Sequence, residues 1–197
     1  MTTKLTALTF DDGPTMYSSR LQDLLYQYGV KVTFFFIGKM VKRYPKLAES
    51  AANLGHEIAN HTWSHPQLIH LTDKEFIKEL EQAHSIILDT TGKTPTLFRP
   101  PYGYITKAQR SIAQELFGYQ TVLWNFDTKD WKQPNQSILA KEIQNHLESD
   151  QIILMHETHE SSINAVNQVL SSTFYNKSNF VTTSEIRLRL LKPYSNS

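Results

Sequence analysis

Cysteine is absent from this 197-residue chain. Disulfides, thiolate catalysis and cysteine-ligated zinc are therefore excluded, and the absence fits any redox compartment. Charge of one sign is also lacking: 20 basic and 19 acidic residues give a formal net charge of +1. That balance gives no support for a nucleic-acid or anionic-membrane partner, and no nucleic acid is expected. No apolar run approaches the roughly 18–20 residues of a membrane-spanning helix, so no membrane insertion is expected. The opening MTTKLTALTFDD is too short and too polar before its first apolar run to be a secretory signal. A glycine-rich phosphate loop is missing as well. The DDGPT that follows the first apolar run fits neither GxGxxG nor the P-loop, which argues against a nucleotide fold. With no internal repeat, low-complexity stretch or linker, residues 1–197 are expected to form one domain, long enough for a substantial core.

What is present is alternation. Apolar or β-branched runs at 5–10, 32–37, 57–61, 97–102, 121–126, 151–156 and 180–183 predict strands. Several lack a period-2 pattern and are expected to be buried on both faces. Helical spacing fills the intervals at 19–28, 40–54, 72–92, 106–117, 137–147 and 162–174, with a loop at 175–179. The third of these opens on Thr72 with Glu75 three residues later, a capping box, and stops at Gly92. Strand-helix alternation along the whole chain predicts a mostly parallel sheet with helical crossovers, either a barrel-like (β/α) closure or an open doubly wound sheet.

The chemistry-bearing residues gather where the strands end. Asp11 and Asp12 follow the first strand, His61 and His65 the third, Arg99 and Tyr102 the fourth, Asp127, Asp130 and Trp131 the fifth, and His156 the sixth. Ligands bind at that face in barrels and open parallel sheets. Two histidines four apart can aim both imidazoles at one point, and one added carboxylate makes a set suited to Zn²⁺ or a similar divalent ion. One aspartate of the Asp11–Asp12 pair would bind the ion, and the other would be free to take a proton from water. A dication is also what lets two adjacent carboxylates stay ionised. Each motif alone has a plainer reading. DDGP is usually a solvated turn, HxxxH two helix-face histidines, Arg99 an ion-pair residue, and Trp131 and Leu154 packing residues. Taken jointly at one rim, those plainer readings would all have to be coincidences. His159 reads as a solvated loop residue, and Trp63, between the two histidines, as a groove-lining ring.

Five ordered motifs resemble the polysaccharide deacetylase family, the NodB-homology domain of carbohydrate esterase family 4. They are TFDDGP at 9–14, HTWSHP at 61–66, RPPYG at 99–103, DTKDW at 127–131 and ILMHE at 153–157. The likeness runs from about Leu5 to Ile186. It implies a distorted (β/α) barrel of about seven parallel strands and metal-dependent removal of acetyl groups from sugars. By position, Asp11 resembles the general base and Asp12, His61 and His65 the metal ligands. His156 resembles the general acid, Arg99 the residue that orients Asp11, and Asp127 the carboxylate that tunes His156, with Asp130 the less favoured choice. Trp131 and Leu154 would wall the acetyl-methyl pocket, and the Tyr102 N–H would face the oxyanion.

The resemblance implies a divalent ion, zinc ahead of cobalt, and an N-acetylglucosamine glycan as substrate: peptidoglycan, chitin or chito-oligosaccharide. Short loops predict an open groove that suits a polymer. Two alternatives are an O-acetyl esterase on acetylated xylan and a catalytically inactive carbohydrate-binding relative. A monomer is expected. Such substrates lie in cell walls, so a secreted or cell-surface enzyme trimmed to its catalytic domain is expected, with a cytoplasmic enzyme on soluble oligosaccharides as the alternative.

Overall fold

The structure, a computed structural model, describes residues 4–132, 134–147, 150–172 and 179–190. Its strands are β1 (Thr6–Asp11), β2 (Thr33–Phe36), β3 (Glu57–Asn60), β4 (Leu97–Phe98), β5 (Gln120–Thr121), β6 (Phe126–Asp127) and β7 (Gln151–His156). Its helices are α1 (Ser18–Tyr28), α2 (Gly38–Arg43), α3 (Pro45–Asn53), α4 (Asp73–Thr91), α5 (Lys107–Phe117), α6 (Gln136–Asn145), α7 (Glu160–Leu170) and α8 (Thr183–Leu190). Every strand pairing is parallel, in the order β5-β4-β3-β2-β1-β7-β6.

Chain length dictates the curvature of this sheet. β5 and β6 stand at its two ends, yet they are joined directly through residues 122–125. The five Cα steps from Thr121 to Phe126 reach at most about 18 Å. Six spacings of a flat sheet would need about 29 Å. The sheet therefore curls until its edges nearly meet, and the expected distorted (β/α) barrel is what forms. Among the described residues no ladder joins β5 to β6, so the barrel is hydrogen-bonded everywhere except at that seam.

Alternation along the strands sorts two cores. Leu8 and Phe10 of β1, Phe34 and Phe36 of β2, and Ile153 and Met155 of β7 point outward and pack under helices with Leu21, Leu25 and Val166. Ala7, Phe35, Ala59, Leu97 and Ile152 point inward and fill the barrel. Ile186 of α8 joins them from below. α8 is tied to the first residues of β2 and β3, through Thr183 N–H to Thr33 Oγ1 at 2.8 Å and Ser184 to Glu57. The floor is thus stoppered, and the opposite rim is left for ligands.

Four expected elements form differently. The strand expected at 97–102 stops at Phe98, because Pro100 and Pro101 bring no N–H to a ladder, and residues 101–103 form a tight 3-10 turn. The strand expected at 121–126 is two strands on opposite edges of the sheet, with its middle crossing the seam. The helix expected at 40–54 breaks at Tyr44 (φ −127°), because Pro45 disfavours a helical residue before it and starts α3 instead. The strand expected at 180–183 is one bridge, Phe180 to Thr6, before α8 begins. Thr182 and Glu185 exchange capping hydrogen bonds there, a helix-start signal in TTSE. Residues 173–174 of the helix expected at 162–174 and most of the expected 175–179 loop lie outside the described residues. The Thr72–Glu75 capping box and the Gly92 stop form as expected.

Candidate active site

The C-terminal ends of the strands surround a cleft of about 590 Å³. Nine of the residues singled out from the sequence line it: Asp11, Asp12, His61, His65, Tyr102, Asp127, Trp131, Leu154 and His156. Two more, Arg99 and Asp130, have no exposed surface. The loops at this rim also hold all five described non-glycine residues of left-handed φ: Asp12 (70°), Thr62 (68°), His65 (60°), Tyr102 (59°) and Lys129 (54°). Such conformations persist where the surroundings over-determine them. For the 61–65 loop those surroundings are visible. Asn60 Oδ1 accepts the Thr62 N–H at 2.7 Å, Thr62 Oγ1 accepts the His65 N–H at 3.0 Å, and Glu79 of α4 accepts both the N–H and hydroxyl of Ser64.

Asp12, His61 and His65 each offer one ligand atom, all within 4.8 Å of one another. Asp12 Oδ1 lies 3.6 Å from His61 Nε2 and 3.3 Å from His65 Nε2. Ligand atoms about 2.0–2.1 Å from a tetrahedral zinc stand about 3.3–3.4 Å apart. The spacing therefore fits a shared ion better than direct hydrogen bonds. Asp12 Oδ1 is buried and has no hydrogen-bond partner, an acceptor left for a cation. His61 Nδ1 lies 2.7 Å from the Arg99 carbonyl oxygen. A carbonyl only accepts, so Nδ1 carries the proton and Nε2 presents its lone pair to the other two ligands. Burial, then the neighbouring His61, holds His65 below its ordinary pKa and so neutral, as ligation requires.

The two adjacent aspartates are separated by what holds them. Arg99 Nη1 donates to Asp11 Oδ1 at 2.7 Å and to Thr9 Oγ1 at 2.8 Å. Its guanidinium carbon sits 3.9 Å above the centre of the Phe35 ring inside the barrel. Asp11 Oδ2 is left 3.6 Å from His61 Nε2, beside the ligand triangle.

Across the cleft, His156 Nδ1 lies 2.8 Å from Asp130 Oδ1. Asp130 is fully buried, and its Oδ2 accepts from the His156 N–H and the Ser162 hydroxyl, both at 2.7 Å. Burial works against a charged imidazole here. The hydrogen bond and charge of Asp130, with Asp11 and Asp12 beyond, outweigh it and raise the His156 pKa to about 9. The partner of His156 is thus Asp130, not Asp127 as favoured from the sequence. β6 pairs Asp127 with Leu154, two residues short of His156, and the Asp127 carboxylate accepts the Lys129 N–H at 2.8 Å. The turn at Asp130–Lys132 then brings Asp130 beneath the imidazole. Asp130→Asn is expected to pull the His156 pKa back down toward the ordinary imidazole range, whereas Asp127→Asn leaves it close to where it stands. Titration of the imidazole in the two variants, followed by NMR, checks this.

The remaining cleft residues escaped sequence reasoning. Tyr104, Trp124, Thr158 and His159 line it, although His159 reads as a solvated loop residue from sequence. Trp63 does not line it; the indole packs against Gly38, facing a separate surface depression with Lys42 and Glu81. Glu157, fully buried behind Asp12, has its carboxyl pushed up to about 8, chiefly by burial. It closes the ILMHE motif at 153–157, but the sequence reading gave it no task.

Comparison with known proteins accords with this geometry. The polysaccharide deacetylase family model matches residues 1–122. The peptidoglycan-N-acetylglucosamine deacetylase PgdA of Listeria monocytogenes is 34% identical over 197 residues, covering 98% of this chain and 41% of its own length. The chain thus spans about two fifths of that curated relative. The solved structure of the peptidoglycan deacetylase PdaC from Bacillus subtilis superposes with a TM-score of 0.87 at 33% identity, covering 94% of this chain and 91% of that one. A family 4 pseudoenzyme from Bacillus anthracis also superposes, with a TM-score of 0.84 at 26% identity over 93% of this chain and 65% of that one. No helix among the described residues is long and apolar enough to cross a membrane. With five motifs, a curled parallel barrel and relatives matched across almost its whole length, the chain belongs to the polysaccharide deacetylase family.

Proposed function

We propose that the chain is a divalent-metal N-deacetylase that hydrolyses the acetamido group of N-acetylglucosamine units in a glycan, peptidoglycan first among them. One observation carries this reading: of two adjacent carboxylates, Asp12 faces two imidazoles with an unbonded oxygen, while Asp11 is turned onto Arg99. The existence of a pseudoenzyme with this fold means that the fold alone does not secure catalysis. The reading therefore leans on the complete set of ligands, base and acid.

A dication held by Asp12, His61 and His65, zinc before cobalt, would polarise the acetyl carbonyl and acidify water beside it. Asp11, oriented through Oδ1 by Arg99, takes a proton from the attacking water on Oδ2. The Tyr102 N–H meets the developing oxyanion. Asp130 accepts from Nδ1 of His156, so the Nε2 proton faces the cleft. His156 passes that proton to the departing nitrogen, which leaves poorly without it. Acetate and a free amine result. Trp131 and Leu154 form an apolar wall for the acetyl methyl, and the half-exposed Trp131 leaves it open to a polymer. On such a wall substrate the enzyme works outside the cell, as a monomer.

Chelation is expected to lower acetate release at least a hundredfold, with recovery on adding zinc. The reading is tested by assaying acetate released by zinc-loaded protein from peptidoglycan, chitin oligomers and acetylated xylan. Release from xylan alone would replace it with an O-acetyl esterase. Glycan binding with no release from any substrate would replace it with a binding module.

A further inference from the structure

Glu157 is a buried acid that the chemistry above leaves without a task. It follows His156 directly, its side chain has no exposed surface, and Oε1 has no hydrogen-bond partner. Oε2 meets the Ser18 hydroxyl at the start of α1. Ser18 Oγ also accepts the Thr15 N–H at 2.7 Å, and Thr15 Oγ1 donates to the Glu157 carbonyl at 2.7 Å. The carboxyl fills the space that a side chain on Gly13 would need: a Cβ there would stand 1.5 Å from Oε1. All these contacts fall on residues 13–18, the connection from Asp12 into the first residue of α1.

Asp12 holds its φ of 70° only while the chain on either side is fixed. On the upstream side β1 does this through its ladders to β2 and β7. On the downstream side stand the bond from Ile37 N–H to the Gly13 carbonyl, at 3.0 Å, and the Glu157 contacts. From this geometry we propose that Glu157 is a positioning residue for the ion: it locks the β1–α1 connection to the end of β7 and so fixes where Asp12 presents its oxygen. The inference rests on the ion seat of Asp12, His61 and His65 proposed above. It also gives that seat a link to the acid, because His156 and Glu157 are consecutive. A seat that must match ligand spacings to a few tenths of an ångström depends on such supporting contacts.

Zinc affinity, measured by competition with a chromophoric chelator at pH 7, tests this apart from activity. Thermal unfolding of each metal-free variant runs alongside. Glu157→Ala is expected to weaken zinc about ten- to a hundredfold, while Glu157→Gln, of the same shape and able to bond Ser18, stays within about threefold. Equal loss in both variants would overturn the shape-based clamp. So would a Glu157→Ala protein that melts earlier but binds zinc as tightly as the unaltered chain. Should Glu157→Ala not fold, Ser18→Ala carries the test: an expected loss of about threefold to tenfold supports the clamp, and undiminished affinity overturns it. An unaltered chain that binds no zinc would remove the ion seat itself, and the clamp with it.

Discussion

Asp11→Asn is expected to lower acetate release by about a thousandfold to ten-thousandfold, or about 4–5.5 kcal/mol of transition-state stabilisation. The amide matches the carboxylate in shape and keeps an oxygen for Arg99, but it cannot take a proton from water. Zinc affinity should change little, because Asp12 and the two imidazoles form the triangle and Asp11 stands beside it. Some stability is lost, since the buried guanidinium gives up its counter-charge. That loss should fall below the about 3–5 kcal/mol of a buried pair broken outright. Arg99 retains Thr9 Oγ1, two backbone carbonyls and the Phe35 ring. Initial rates on zinc-loaded protein, read with a urea melt, separate the two effects. A folded, loaded variant within tenfold of the unaltered rate would sink the role given to Asp11.

His156→Ala is expected to cost about a thousandfold on an N-acetyl substrate but only about tenfold on an activated aryl acetate. A phenolate leaves without help, whereas an amine needs its proton. The contrast between substrates marks a general acid, because a packing role would slow both alike. The pH profile carries the same signature. His156 is raised to about 9, and in the proposed mechanism its acid form is the active one, so the rate should fall as pH rises through that range. Part of the shift comes from Asp11 and Asp12, whose charge a bound dication offsets, which places the alkaline limb of loaded enzyme between 6.5 and 9. The stability linkage has the same sign. The folded value exceeds the ordinary 6.5, so the contribution is full below 6.5 and is lost as pH rises toward 9.

Much of the site was legible because its residues sit at strand ends, and strands β1, β2 and β7 are announced by apolar or β-branched runs. What escaped depended on relations between distant segments. Residues 121–126 look like one strand because local pattern says nothing about which edge of a sheet a residue joins. Asp127 and Asp130 are both acidic residues just past a strand. Only the pairing of Asp127 with Leu154, together with the turn after it, decides which one reaches His156. Glu157 closes the ILMHE motif, yet no local rule gave it a task, since its contact with Gly13 lies on another strand's loop. The break at Pro45 and the cap in TTSE were readable by local rules, and there the apolar pattern masked them.

Arg99 touches both halves of the site with different parts of itself. Its guanidinium steadies Asp11, while its main-chain oxygen fixes the tautomer of His61. Substitution can delete the first tie but not the second, because every amino acid brings the same carbonyl. Changes at this position should therefore erode proton abstraction while sparing imidazole ligation. A lineage drifting here would pass through a form that still captures its ion and its sugar yet no longer cuts.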